Sequence, residues 1–197
     1  MEIVAKQQAR TFMWTIPNLL SFFRILSIPF VVILLHFSDP LTSFLAALIF
    51  SIAGITDLLD GYIARQQRSE TIVGSLLDPM ADKLLILSAL IMLVSLGRVA
   101  AWMVVLIVAR EVAVTGLRGI ASAEGLIIPA SRGGKAKTVL QSLALIGLLL
   151  HYEYLGINFH LLGILLLWVA LVVTVWSGVD YFNKFYRIHW KEHTTPP

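Results

Sequence analysis

Four aspartates with close and regular spacing are the residues of this sequence best suited to chemistry. Asp57 and Asp60 lie three residues apart, and Asp78 and Asp82 lie four residues apart. On a helix these separations put both members of a pair on one face. Clustered carboxylates raise one another's pKa values unless cations neutralise them. The pattern therefore predicts a site for divalent metal.

The donor set also predicts which metal and what it would do. Carboxylate oxygens favour hard ions, so Mg²⁺ or Mn²⁺ is expected. Four acids suit two ions about 3.5–4 Å apart, which can bridge a diphosphate and stabilise charge on a leaving group. Gly61 and Ala64 share the face of Asp57 and Asp60, where small residues let a ligand approach the helix. Simple helix packing remains an alternative for this small pair.

The composition indicates that these aspartates lie in a membrane protein. Of the 197 residues, 58% are hydrophobic and 14% are charged, whereas soluble domains have about 25% charged residues. The apolar residues form long blocks, and the basic residues lie beside these blocks rather than along one polar face. This distribution favours a bilayer over nucleic acid as partner. The absence of cysteine excludes disulfides, thiolate metal sites and cysteine nucleophiles.

Six apolar blocks approach the length of about 20 residues that a membrane-spanning helix needs. They lie at 16–37, 42–66, 74–97, 99–122, 136–152 and 159–183. We therefore expect an all-α membrane protein, a six-transmembrane-helix bundle that occupies residues 16–185. Residues 1–15 are expected to form an interfacial segment, with an unstructured tail as the alternative, and residues 186–197 a cytoplasmic tail.

Basic residues predict the orientation of the bundle. Eleven Lys and Arg residues lie in the tails and connections on the side that carries both termini, and Arg98 is alone on the other side. The positive-inside rule therefore places both termini in the cytoplasm. At about 1.5 Å per residue, Asp57 and Asp82 would each lie about 12 Å below the cytoplasmic surface. The two pairs of aspartates are thus expected to meet near that surface.

These residues resemble the signature of the CDP-alcohol phosphotransferases. The pattern is Asp57-x-x-Asp60-Gly61-x-x-Ala64-Arg65, eight residues, Gly74, three residues, Asp78, three residues, Asp82. The resemblance implies a homodimeric integral-membrane enzyme that transfers a phosphatidyl or similar group from a CDP-linked donor to an alcohol and releases CMP. It also implies that Asp57, Asp60 and Asp78 bind the two metal ions, and that Asp82 is the catalytic base and a further metal contact.

Other residues are assigned to the two substrates. The CDP donor is expected to contact Asn18, Gly61, Ala64, Arg65 and Gly74. A phosphorylated acceptor is expected at Arg110, Arg118, Lys135 and Lys137, because these cations exceed what a neutral polyol needs and Arg binds phosphate in a bidentate manner. Two alternatives stay open: Arg118 and the lysines as positive-inside charges, and Arg110 as the ion-pair partner of Glu111.

The acceptor is narrowed by landmarks outside the signature. They are Pro17-Asn18-Leu19-Leu20 with Arg24, Ala109-Arg110-Glu111-Val112 with Leu117-Arg118, and Gly134-Lys135-Ala136-Lys137-Thr138. These landmarks resemble the family members that combine CDP-diacylglycerol with sn-glycerol 3-phosphate, in the inner membrane with the active site facing the cytoplasm. The alternatives are family members of the cardiolipin, phosphatidylserine or inositol-phosphate type, a divalent-cation transporter, and a purely structural membrane subunit.

The remaining polar and aromatic residues receive structural interpretations. Tyr181, Tyr186 and Trp190 near the C-terminal end are interpreted as interfacial anchors. Lys83 is interpreted as a counter-ion of the neighbouring Asp82. The five histidines are interpreted as surface residues without a chemical role.

Overall fold

The apolar blocks form long helices in the computed structural model, which describes residues 16–67, 72–125 and 132–194. The helices are α1 (Ile16–Phe37), α2 (Pro40–Gln67), α3 (Ile72–Ser95), α4 (Ala101–Ala123), α5 (Arg132–Leu150) and α6 (Phe159–Thr194). A short antiparallel hairpin of β1 (Glu153–Tyr154) and β2 (Ile157–Asn158) joins α5 to α6. The predicted all-α class is therefore confirmed for the described residues, apart from this hairpin.

Two of the described helices are long and apolar enough to cross a membrane. They include Asn18–Phe37, with a mean hydropathy of 2.1, and Phe159–Ile188, with a mean hydropathy of 2.4. Shorter apolar segments occupy Pro40–Thr56 and Ala136–Leu150. On the outer face of α1, large apolar side chains such as Phe22 and Phe30 are exposed, as expected for a helix that faces lipid.

Local sequence signals determine where α2 begins. Asp39 precedes the helix, and its carboxylate accepts a hydrogen bond from the backbone N–H of Thr42 at 2.9 Å. This is the expected geometry of an N-cap residue. Pro40 occupies the first turn, where its missing N–H has no cost. The turn between α1 and α2 is therefore tight, as the sequence predicts.

The helices pack in two groups that share a core. α1 lies against α2 and α3, while α5 packs along α6 over the most extensive interface. α4 lies against α6, and both α2 and α3 also contact α5. Among the described residues, direct contact between α2 and α3 is smaller than the contact of either helix with α1, so α1 helps to fix their relative position.

Two glycines, Gly147 and Gly163, allow a close approach between helices at the crossing of α5 and α6. A Cβ atom built at Gly163 would lie 2.7 Å from the backbone nitrogen of Leu148 and 2.9 Å from the carbonyl carbon of Gly147. A side chain at this position would therefore collide with backbone. The contact is of the small-residue type by which helices pack closely in lipid.

Arg98 joins several elements at the end of the bundle away from the aspartates. Its guanidinium donates hydrogen bonds to the carbonyl oxygen of Leu149 at 3.2 Å and to the Ser43 hydroxyl at 3.2 Å. It also lies over the Tyr152 ring, with 5.9 Å between Cζ and the ring centroid. Arg98 thus satisfies a carbonyl at the C-terminal end of α5, which would otherwise lack a partner.

The ends of the chain differ from the predicted segments in one respect. Helix α6 continues to Thr194, beyond the predicted span at 159–183 and through most of the predicted tail at 186–197. The sequence of α6 contains no proline, so nothing ends the helix where its apolar segment gives way to polar residues. The predicted interfacial segment 1–15 lies outside the described residues.

Candidate active site

A buried polar face on α1 lies against the helices that carry the aspartates. Asn18, Ser21, Arg24 and Ser27 follow one another at intervals of three residues, and none of them is more than 6% exposed. Their spacing puts them on one side of α1, the side that packs against α2 and α3. Burying an arginine completely is costly in an apolar core. The space between α1, α2 and α3 is therefore polar.

The backbone positions of the four aspartates are consistent with a shared site. Asp57 and Asp60 lie in the C-terminal half of α2, and Asp78 and Asp82 lie in the first half of α3. Four residues separate the two helices, so the chain holds their facing ends within about 18 Å. Of the four carboxylates, that of Asp82 is described, and it is half-buried.

For several predicted site residues the structure describes the helical backbone but not the surroundings of the residue. These residues are Asp57, Asp60, Gly61, Ala64, Arg65, Gly74, Asp78 and Lys135. Within the described residues, no group of three His, Asp or Glu side chains is placed to hold a metal ion. The metal site, and the donor contacts of these residues, therefore remain predictions.

Three charged side chains form a buried ionic cluster between α4 and α5. The Glu111 carboxylate accepts a hydrogen bond from Arg110 Nη1 at 2.8 Å and a second one from Lys137 Nζ. The side chains of Arg110, Glu111 and Lys137 are 13%, 19% and 7% exposed. The alternative interpretation of Arg110 as the ion-pair partner of Glu111 is thus confirmed, the predicted role of Arg110 at the acceptor phosphate remains a prediction, and Lys137 is buried.

The ionic cluster is linked to the predicted catalytic base. Lys137 has an attractive electrostatic interaction with Asp82, which lies on α3. The cluster joins α4 and α5, and Asp82 on α3 lies within electrostatic range of its Lys137. Lys83, the neighbour of Asp82, donates a hydrogen bond to the Thr115 hydroxyl at 2.6 Å, and its predicted pairing with Asp82 remains a prediction.

Helix α6 has a buried polar face, formed by Thr174, Ser177 and Tyr181, that the sequence patterns did not predict. Arg110 Nε donates to the carbonyl oxygen of Thr174 at 3.2 Å, and Arg110 Nη2 donates to the Ser177 hydroxyl at 2.9 Å. The arginine lies across Gly178, where a built Cβ would be 3.0 Å from Arg110 Cγ. The detectable signal was Thr174, Ser177 and Tyr181 at helical spacing within an apolar span.

Tyr181 is buried, so its interpretation as an interfacial anchor is wrong. The residue is 3% exposed, and the Arg118 guanidinium lies over its ring with 5.9 Å between Cζ and the ring centroid. The position of Tyr181 near the end of the apolar segment predicted a residue close to the membrane surface. It did not predict whether the ring faces lipid or, as the structure has it, the neighbouring helix α4. Tyr186, in contrast, is 58% exposed, and the Trp190 side chain lies outside the described residues.

Two histidines that were interpreted as unconnected surface residues pair with each other at the opposite end. The Nδ1 atoms of His151 and His160 are 3.2 Å apart, and both rings are half-buried. Burial, reinforced by the positive charge of Arg98 and by His160, lowers the pKa of His151 to about 4. The Nδ1 atom of one ring donates this hydrogen bond to the Nδ1 atom of the other.

Known proteins similar to this chain share the family that its aspartates indicate. Residues 14–176 match the family described as CDP-alcohol phosphatidyltransferase. A Bacillus subtilis protein named CDP-diacylglycerol–glycerol-3-phosphate 3-phosphatidyltransferase is 41% identical over 187 residues, which cover 87% of this chain and 95% of the relative.

Two further relatives with the same name come from other bacteria. The protein from Rickettsia typhi is 40% identical over 172 residues, which cover 87% of this chain and 97% of the relative. The protein from Haemophilus influenzae is 38% identical over 176 residues, with 86% and 92% covered. The match therefore spans nearly the whole length of these enzymes, and the chain belongs to the CDP-alcohol phosphatidyltransferase family.

Proposed function

We propose that this protein transfers the phosphatidyl group of CDP-diacylglycerol to sn-glycerol 3-phosphate, giving phosphatidylglycerol phosphate and CMP. The observation that carries the proposal is the similarity, over nearly their full length, to relatives named for this reaction. The buried basic cluster of Arg110 and Lys137 supports it, because an acceptor that carries a phosphate needs cations.

The donor set fits a pair of Mg²⁺ or Mn²⁺ ions. Asp57, Asp60, Asp78 and Asp82 offer oxygen ligands only, and the buried polar face of α1 makes their surroundings suitable for charge. When bound, the ions would neutralise the diphosphate of the donor and stabilise the departing CMP. Asn18 and Arg65, with Gly61, Ala64 and Gly74, would line the place of the CDP head group.

The chain's own residues would then carry out proton transfer and orientation. Asp82 accepts the proton of the acceptor hydroxyl as its oxygen attacks the β-phosphorus of the donor. The bond from this phosphorus to CMP breaks in the same displacement, so no covalent enzyme intermediate forms. The electrostatic interaction of Asp82 with Lys137 supports a base within range of the basic cluster that would hold the acceptor phosphate.

Four basic residues would bind that phosphate: Arg110, Arg118, Lys135 and Lys137. Described contacts use three of the five N–H groups of Arg110. These contacts fix the guanidinium in place and leave two N–H groups for a ligand. Arg118 is exposed, which suits the entry of a water-soluble acceptor.

The proposed enzyme is a multi-pass protein of the inner membrane with six spans and a homodimeric assembly. Residues 16–185 would be the catalytic domain, between an interfacial segment at 1–15 and a cytoplasmic segment at 186–197. The six described helices and their exposed apolar faces support the spans. The excess of basic residues on one side supports cytoplasmic termini and a cytoplasmic active site.

The proposal is tested with purified protein in lipid nanodiscs. CDP-diacylglycerol is supplied with glycerol 3-phosphate, serine, inositol phosphate or phosphatidylglycerol, and CMP release is measured. Turnover is expected with glycerol 3-phosphate. Turnover with another acceptor but not with this one would overturn the proposed reaction.

The metal assignment needs its own variants. Asp57→Asn and Asp78→Asn are expected to abolish CMP release and to reduce the number of Mn²⁺ ions bound, measured by electron paramagnetic resonance. Asp39→Asn is the matched control, because Asn is an equally good N-cap at the other end of the bundle. Near-normal turnover of an aspartate variant at saturating Mg²⁺ would refute the metal assignment.

A further inference from the structure

Tyr181 has a buried hydroxyl without a hydrogen-bond partner in the part of the chain that the structure describes. The residue is 3% exposed, and its Oη atom has no hydrogen-bond partner among the described residues. Buried polar atoms are nearly always hydrogen-bonded, because an unpaired one loses its bonds to water without replacement. Among the described residues, this tyrosine hydroxyl in the interior of the bundle therefore lacks the partner that a buried donor normally has, and a bound ligand could supply one.

The surroundings of Tyr181 are positively charged. Arg118 on α4 lies over the Tyr181 ring. Arg110 on the same helix donates to Ser177, which precedes Tyr181 by about one turn of α6. The two guanidinium groups thus lie along the α4–α6 interface, that of Arg118 over the Tyr181 ring and that of Arg110 at Ser177, about one helical turn away.

This combination selects the class of partner. A hydroxyl donor between cations suits an anion with several acceptor oxygens. A phosphate group has such oxygens, and guanidinium groups bind it in a bidentate manner. Arg118 is exposed, so solvent reaches the outer side of the Arg118–Tyr181 pair, which favours a water-soluble phosphate over the phosphate of a lipid.

We propose that Tyr181 binds the phosphate of the acceptor alcohol, its hydroxyl donating a hydrogen bond to a phosphate oxygen beneath Arg118. This inference rests on the proposed function, in which the acceptor is a phosphate monoester. It adds a neutral donor from α6 to the basic residues of α4 and α5. The stacked ring also restrains Arg118, so that the cation and the hydroxyl meet the ligand together.

The test is Tyr181→Phe, which removes one oxygen atom and keeps the packing of the ring. Loss of a hydrogen bond to a charged group corresponds to about a tenfold weaker interaction. The KM for glycerol 3-phosphate is therefore expected to rise about tenfold, with kcat and the KM for CDP-diacylglycerol nearly unchanged. Tyr186→Phe, which removes the same oxygen from an exposed position on α6, is expected to change none of these constants.

A second variant and a binding measurement make the test independent of turnover. Arg118→Lys keeps the charge but loses the planar stacking, so it is expected to raise the same KM. Glycerol 3-phosphate alone is expected to raise the melting temperature of the wild type and of Tyr186→Phe, but less that of Tyr181→Phe.

The outcomes separate this inference from the proposed function. If the wild type uses glycerol 3-phosphate and Tyr181→Phe has the same KM for it, the role of Tyr181 is wrong and the reaction stands. A rise in the KM for CDP-diacylglycerol instead would place the hydroxyl at the donor and overturn the inference. If the wild type uses a different phosphorylated alcohol, the proposed reaction fails, and the KM for that alcohol decides the role of Tyr181.

Discussion

Replacing Gly163 by alanine tests the packing of α5 against α6 directly. The added Cβ would lie 2.7 Å from the Leu148 backbone nitrogen and 2.9 Å from the Gly147 carbonyl carbon. Both neighbours are backbone atoms, so no side chain can rotate away. The variant can be accommodated only if the two helices move apart.

The size of the effect follows from this distance. Non-bonded heavy atoms pack at about 3.5–4.0 Å, so the helices must separate locally by about 0.8–1.3 Å. Overpacking of this kind costs about 1–3 kcal/mol, and the better helix propensity of alanine returns about 0.5–1 kcal/mol. From the middle of these ranges the net loss is about 1 kcal/mol, which corresponds to a melting temperature lower by about 2–4 °C for a chain of this length.

The measurement is thermal unfolding of the purified variants in one detergent, followed by tryptophan fluorescence. Gly119→Ala is the matched control, because a Cβ at Gly119 on α4 would meet nothing within 4 Å. This control is expected to melt at the temperature of the wild type or slightly above it. If Gly163→Ala melts as high as Gly119→Ala, the close α5–α6 crossing does not exist in the protein.

Two further predictions concern the two ends of the bundle. Glu111→Gln removes the carboxylate that pairs with Arg110 and Lys137, so CMP release is expected to fall at least about tenfold and the melting temperature to drop, because two buried cations lose their common partner. Burial and the charge of Arg98 lower the pKa of His151 in the folded protein from 6.5 to about 4. As the pH falls, His151 of the unfolded chain is therefore protonated before His151 of the folded protein. The stability of the fold is expected to decrease as the pH falls from 6.5 towards 4. His151→Asn is expected to flatten that decrease in melting scans across this pH range.

Controls for both predictions come from exposed positions. Asp180→Asn breaks the exposed ion pair with Lys184, and its effect is expected to be small, because exposed pairs contribute little. Equal losses in Glu111→Gln and Asp180→Asn would contradict a special role for the buried cluster. His36→Asn, at an exposed position on α1, serves the pH scan, and a pH profile of His151→Asn identical to that of the wild type would disprove the assignment.

The helices could be predicted from the sequence because their lengths are set by the apolar blocks. The predicted bounds 16–37 coincide with α1, and Pro40 with its Asp39 cap gives a local signal for α2. The β1–β2 hairpin was not predicted. Its turn uses Leu155 and Gly156, both with positive φ. Leucine rarely adopts positive φ, so its presence in the sequence does not predict a turn.

The site could be predicted only as far as spacing along the chain allows. The adjacency of Arg110 and Glu111 in the chain suggested their pairing as an alternative, and the structure contains this ion pair, whereas the metal role that spacing predicts for the aspartates remains a prediction. Spacing did not identify the polar face of α6, because a largely apolar helix gives little indication of which side faces inward. For this reason Tyr181 was interpreted as an anchor, although it lies against α4.

The length of α6 has a practical consequence for experiments on this protein. Its 36 residues extend about 54 Å, against about 30 Å of hydrocarbon in a bilayer. The part of α6 that exceeds the hydrocarbon thickness would extend out of the lipid as a rigid helix rather than as a flexible segment. A fluorophore joined after Thr194 would therefore lie at a fixed distance from the membrane surface. Energy transfer from this fluorophore to labelled lipids would measure that distance.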